Sequence, residues 1–109
     1  MTKVQVRRAP DGTIAEIRVT GHAGYADPGE DIVCAGISAL TATALLALDQ
    51  IADHPHEGKL DAGLMSCKLR PGGTPESFEK AQTILATLVL GLRDIAKDYP
   101  KFIRVTEGG

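Results

Sequence analysis

The chain has 109 residues, 43% hydrophobic and 24% charged, with a formal net charge of −2. That suffices for one core and a single domain over residues 1–109, is too apolar for a disordered chain, and lacks the basic excess of a nucleic-acid binder. The opening MTKVQVRRAP has no apolar centre of a secretory leader, and no run reads as reaching the ~20 apolar residues of a bilayer span, so a cytoplasmic protein without a membrane partner is expected.

Taken in chain order, residues 3–8 (KVQVRR) alternate Val4 and Val6 with polar neighbours. Residues 15–19 (AEIRV) set Ile17 and Val19 two apart. The Asp11-Gly12 turn between them predicts a β-hairpin with one buried face. Residues 21–30 follow as a loop: Gly21, Gly24, Pro28 and Gly29 with Asp27 and Glu30 suit neither helix nor strand.

A first helix is predicted over about residues 31–53. Leu40, Ala44, Leu48 and Ile51 recur at helical intervals, and Leu45 and Leu46 widen the stripe. Ala35, Gly36, Ala39, Ala42 and Ala47 keep this helix slim. Gly36 costs roughly 1 kcal/mol against alanine inside a helix, for which a close approach by backbone or ligand would compensate.

His54, Pro55 and His56 end that helix. The two histidines beside Asp53 and Glu57 raise a metal site, but no third and fourth ligand stand at matching spacing, so a solvated helix terminus is the simpler reading. Residues 64–70 then alternate Met65, Cys67 and Leu69 inward, with a short partner strand near residues 59–61 joined through Ala62-Gly63. Cys67 is read as core.

PGGTP at 71–75 is a turn, with Thr74 as N-cap and Pro75 at the first helical position. A second helix to about residue 98 carries Phe78, Ala81, Leu85, Leu88, Leu92, Ile95 and Tyr99 at steps of three and four. Pro100 stops it. Phe102, Ile103 and Val105 predict a short closing strand before a disordered-looking Glu107, Gly108 and Gly109. The order β-β-α-β-β-α-β gives an α+β two-layer sandwich, a mainly antiparallel sheet with two long helices against it and one sheet face or helix stripe left uncovered.

The candidate chemistry lies in residues 21–40. Asp31 is a good N-cap, which places Cys34 in the first turn of a helix, where the macrodipole favours a thiolate and backbone amides can donate to an oxyanion. His22 stands twelve residues earlier, within reach of a loop that doubles back. Together they could form a Cys/His dyad for acyl transfer, the imidazole taking the thiol proton and returning it to a leaving amine. Ser38 lies one turn after Cys34 on the same face and could donate to the sulfur or to substrate. Asp31 has two readings, as the cap or as a carboxylate orienting His22, and the spacing leaves both open. The plainer reading of each residue also stands: a small buried cysteine, a loop histidine, a helix-face hydroxyl. In a reducing compartment Cys34 and Cys67 are expected as free thiols; without CxxC spacing they do not suggest a structural zinc site, and no metal or cofactor is implied.

GHA at 21–23, DIVCAGISAL at 31–40 and TLVLGLRDIAKDYP at 87–100 resemble the ribosomal-processing cysteine protease (Prp) family of bacteria, and the likeness extends over essentially the whole chain. The resemblance implies that His22 and Cys34 are the catalytic pair; Gly21, Asp31, Ala35 and Ser38 beside them are expected as supporting or substrate-binding positions. It also implies a homodimer whose substrate is a large-subunit ribosomal protein with a short N-terminal extension. The extension would be removed before that protein takes its place near the peptidyl-transferase centre. Gly36 departs from the alanine expected there, and residues 53–66 are less like the family than either flank. Two other classes compete: a non-catalytic dimeric assembly factor that binds the ribosomal protein, and a thiol redox sensor built on Cys34.

Overall fold

A computed structural model describes residues 1–27 and 30–108. The expectations placed on Pro28, Gly29 and Gly109 lie outside the described residues. β1 (Thr2–Arg8) and β2 (Ile14–Thr20) pair antiparallel. Their turn is held by Asp11, whose carboxylate accepts from the Thr13 amide (3.0 Å) and hydroxyl (2.6 Å). β3 (His56–Asp61) and β4 (Leu64–Leu69) form a second hairpin, and β4 joins β2 in the register Thr20↔Leu64. β5 (Ile103–Gly108) runs parallel to β1 at the other edge, giving the order β3-β4-β2-β1-β5. Three of the four pairings are antiparallel, as the α+β reading requires.

Strand alternation puts Val4, Val6, Ile17, Val19, Met65, Cys67 and Ile103 into the core. Lys3, Gln5, Arg7, Arg18, Lys68 and Arg104 lie on the opposite, uncovered face. The core face receives α1 (Ile32–Ala47) through Val33, Ile37 and Ala44, and α2 (Pro75–Asp98) through Ala81, Leu85, Leu88 and Leu92. α2 starts as PGGTP predicts: the Thr74 side chain accepts from the Ser77 amide (3.0 Å), Ser77 Oγ accepts from the Thr74 amide (2.9 Å), and Pro75 leads the helix.

Several expectations are corrected. The first helix stops being α-helical at Ala47 and closes with a π-helical turn, Leu48–Ala52, whose end residue Asp53 is left-handed at φ +47°. The wider turn keeps Leu48 and Ala52 on the buried face and swings Ile51 out to 65% exposure, so the Leu48-Ile51 step does not lie on the apolar stripe, and Leu46 also faces outward. The span Ile32–Ala52, of 21 residues, contains an 18-residue window with a mean hydropathy of 1.9, and on length and composition it does reach the bilayer range. Among the described residues it packs its inner face on the sheet.

The residues after this helix are not a solvated terminus. His54 is buried, its Nδ1 2.7 Å from Ser77 Oγ and its ring edge-on to Phe78, while His56 Nδ1 lies 2.6 Å from the His54 carbonyl oxygen. β3 is longer than predicted because an edge strand with almost no inward apolar side chain shows no alternation. Glu107 and Gly108 belong to β5. Arg8 (2.8 Å) and Arg93 (3.4 Å) clasp the Glu107 carboxylate, and the Arg8 hydrogen bond above all holds its pKa below the ordinary carboxylate value. Close approach between the helices falls not at Gly36, where an added Cβ would make an ordinary 3.5 Å contact with Ile95, but at Gly91, where it would stand 2.9 Å from Leu40 Cδ1.

Candidate active site

The site grows from the end of β2. Gly21 has φ +86°, and a Cβ there would stand 2.6 Å from the Met1 carbonyl oxygen, so both conformation and space call for glycine. Its amide donates to the Gly63 carbonyl at 2.9 Å, which ties the strand end to the β3–β4 turn. His22 follows directly, exposed, with its ring against Gly63.

The loop then folds back onto the start of α1. The Ala23 amide donates to Cys34 Sγ at 3.3 Å. Asp31 closes the fold-back with both carboxylate oxygens: Oδ1 accepts from the Cys34 amide (2.9 Å), Oδ2 from the amides of Tyr25 (2.9 Å) and Ala26 (3.3 Å). Tyr25 also meets Tyr99 and Phe102 edge-on, at centroid distances of 5.5 and 5.2 Å. The Cys34 amide bond is the main cause that holds the Asp31 pKa below its ordinary value, against the opposing effect of burial. Of the two readings open for Asp31, the structure exhibits the cap. Among the described residues its carboxylate makes no hydrogen bond to His22.

Cys34 is the third residue of α1, half-buried, its thiol free. It lines two adjoining cavities, of about 180 and 600 Å³, and His22 and Ser38 line both with it. Gly21 belongs to the smaller cavity; Asp31 and Ala35 belong to the larger. All six positions singled out in the sequence therefore meet at one place. Among the described residues no hydrogen bond joins the His22 ring to Cys34 Sγ directly; catalytic hydrogen bonds are commonly long before substrate binds.

Sequence reading missed the other wall of the smaller cavity. Asp61, Ala62, Gly63 and Leu64 of the β3–β4 turn stand there, with Thr2 and the buried Thr41, whose hydroxyl donates to the Ser38 carbonyl at 3.2 Å. Ala62-Gly63 was visible as a turn, but only the register of β4 on β2 carries it beside His22. Among the described residues no group of three or more His, Cys, Asp or Glu side chains is arranged to hold a metal.

A thiol that receives a backbone N–H at a helix start, sharing a cavity with an imidazole, has the parts for attack on a carbonyl carbon: a nucleophile, a donor that supports charge on sulfur, and a proton carrier. This fold and this cavity place the protein among the cysteine proteases. The chain belongs to the Cysteine protease Prp family, which it matches over residues 1–104. It is 32% identical over 108 residues, 97% of this chain and 96% of the relative, to the ribosomal processing cysteine protease Prp of Bacillus subtilis. It superposes with a TM-score of 0.89, at 25% identity and over 99% and 100% of the two chains, on the essential ribosomal processing protease Prp of Staphylococcus aureus solved with a covalently linked product peptide. A Streptococcus mutans protein also matches, with a TM-score of 0.81 at 31% identity over 98% and 93% of the two chains.

Proposed function

We propose that this cysteine protease removes the N-terminal extension of a large-subunit ribosomal protein, with Cys34 as nucleophile and His22 as general base and acid. The observation that carries the reading is that His22, Cys34 and Ser38 line the same two cavities at the start of α1; the relatives' ribosomal-processing names point to the substrate class.

His22 takes the thiol proton, and the Cys34 thiolate attacks the scissile carbonyl carbon. As the tetrahedral intermediate collapses, the C–N bond breaks and His22 returns the proton to the leaving amine, leaving a thioester on Cys34. Water, deprotonated by His22, attacks the thioester, and the acid product leaves as the thiol is restored. Amides at the start of α1 stabilise the oxyanion, Ser38 donates to the sulfur or the substrate, and Asp31 keeps helix start and loop in register. Asp27 and Glu30 on the loop and Asp61 on the cavity wall attract a basic N-terminal segment, a gain that salt weakens.

The enzyme acts in the cytoplasm, a reducing compartment suited to free Cys34 and Cys67, and it takes its substrate without nucleic acid or membrane. It works as a homodimer, a reading supported by Ile32, Leu46, Ile51 and Leu90, which all stand more than half exposed on the helices. The test is cleavage of a peptide spanning the extension junction of the ribosomal protein encoded in the same genome. Cleavage lost in both Cys34→Ala and His22→Ala is the expected result. Tight binding of the peptide with no product would replace the protease by an assembly factor.

A further inference from the structure

Resting on the catalytic reading of His22, we infer that Gly63, in the β3–β4 turn, is a positioning residue that seats the His22 ring. A Cβ added at Gly63 would lie 2.9 Å from His22 Nε2, 3.4 Å from Cε1 and 3.6 Å from Cδ2. Real Cβ atoms essentially never stand at the first distance, so with a side chain here something must shift, and the exposed ring end of His22 is the part that yields most cheaply. The same residue fixes the backbone behind the ring: its carbonyl accepts the Gly21 amide at 2.9 Å, one residue before His22. The Thr20↔Leu64 pairing holds the turn alongside the end of β2. The turn thus does two things at once, anchoring the chain that carries the histidine and presenting a bare Cα for its ring to rest on. Gly63 itself takes no part in proton or acyl transfer; it acts through His22.

Gly63 is left-handed at φ +72°, so any substitution also strains the turn. The molecule contains its own control. Gly12, in the β1–β2 turn, has φ +88° with nothing within 4 Å of an added Cβ. Asparagine tolerates the left-handed region better than other side chains, so Gly12→Asn carries the strain alone and Gly63→Asn carries strain plus displacement of the ring.

The experiment compares these two variants with wild type and His22→Ala in junction-peptide cleavage, thermal melting, and the pH profile of Cys34 alkylation by iodoacetamide. Gly63→Asn should lose on the order of 100-fold in kcat/KM, mostly in kcat, the penalty expected for a catalytic group about 1 Å out of place. Its alkylation profile should move toward that of His22→Ala. Gly12→Asn should melt at a similarly reduced temperature yet keep kcat within about twofold and overlay the wild-type profile. A Gly63→Asn enzyme with wild-type kcat and alkylation profile would overturn the inference. So would equal activity losses in both variants in step with stability. Should Gly63→Asn not fold, Gly63→Ala carries the same prediction; if neither folds while Gly12→Asn does, the residue serves folding and the inference fails. Alkylation needs no substrate, so wild type failing to cut the peptide would remove the ribosomal substrate while leaving the seat of His22 decidable.

Discussion

The two cysteines sit in opposite environments. Cys34 stands half-buried at the first turn of α1, beside a cavity, with a backbone N–H aimed at its sulfur. Cys67 is fully buried on β4 among the aliphatic core, and burial, aided by the nearby Glu16 carboxylate, pushes its thiol pKa up to about 11. Chemically identical side chains are thus divided by backbone placement alone: a helix start offers donors and access, a central strand neither. Reactivity is a property of the site, and Cys67 is the internal reference against which Cys34 is measured.

The largest effect should be Cys34→Ala, with cleavage down by more than about 10³-fold and melting nearly unchanged, since the side chain is only half-buried. Cys67→Ala should do the reverse, costing roughly 1 kcal/mol of stability with activity kept within a few-fold. Activity that followed Cys67 would erase the distinction between the two thiols. His22→Ala should lower kcat by about 10² to 10⁴, the range of general acid–base catalysis, and make Cys34 alkylation slower near neutral pH.

The alkaline behaviour of the core sharpens the contrast. Between the ordinary thiol value of 9.0 and the folded value of about 11, the unfolded chain has released the Cys67 proton and the folded chain has not. The unfolded state then binds fewer protons, so stability falls as pH rises, by about 2 to 3 kcal/mol across the window. Urea titrations of wild type and Cys67→Ala at pH 8, 9.5 and 11 should show the difference between the two proteins narrowing or reversing with pH. Parallel curves would contradict the burial account.

At the acid end the sign is opposite. The depressed pKa of Asp31 stabilises the fold above its ordinary value of 3.8 and is lost as pH falls through the lower folded value. Asp31→Ala should therefore abolish part of the acid sensitivity, lower the melting temperature by a few degrees, and cut activity about tenfold by loosening loop and helix start together. The smallest effect is expected at Gly36, where alanine meets only an ordinary contact with Ile95 and should stabilise by up to about 1 kcal/mol. Gly91→Ala, pressed against Leu40, should destabilise instead.

Much of this arrangement was legible before the fold was known. Alternation in β1, β2 and β4, the three-four steps of α2, its Thr74-Pro75 start and the Asp31 cap are local signals, and each appears where its residues place it. The misses have two causes, a local change of helical phase and partners far along the chain. Ile51 faces outward because a π turn shifts the helical phase; His54 is buried because Ser77 and Phe78 arrive from another helix; Glu107 is ordered because Arg8 and Arg93 meet it. The site divides the same way. His22, Cys34 and Asp31 lie within one short stretch and could be read from it. Gly63 reaches them only through strand register, and nothing near residue 63 announces it.

The most direct test of the central claim is intact-mass spectrometry of the acid-quenched enzyme during turnover of the junction peptide. The account predicts a transient acyl adduct that maps to Cys34, is absent in Cys34→Ala and does not accumulate in His22→Ala. An adduct on Cys67, or product formed by Cys34→Ala at the wild-type rate, would contradict it.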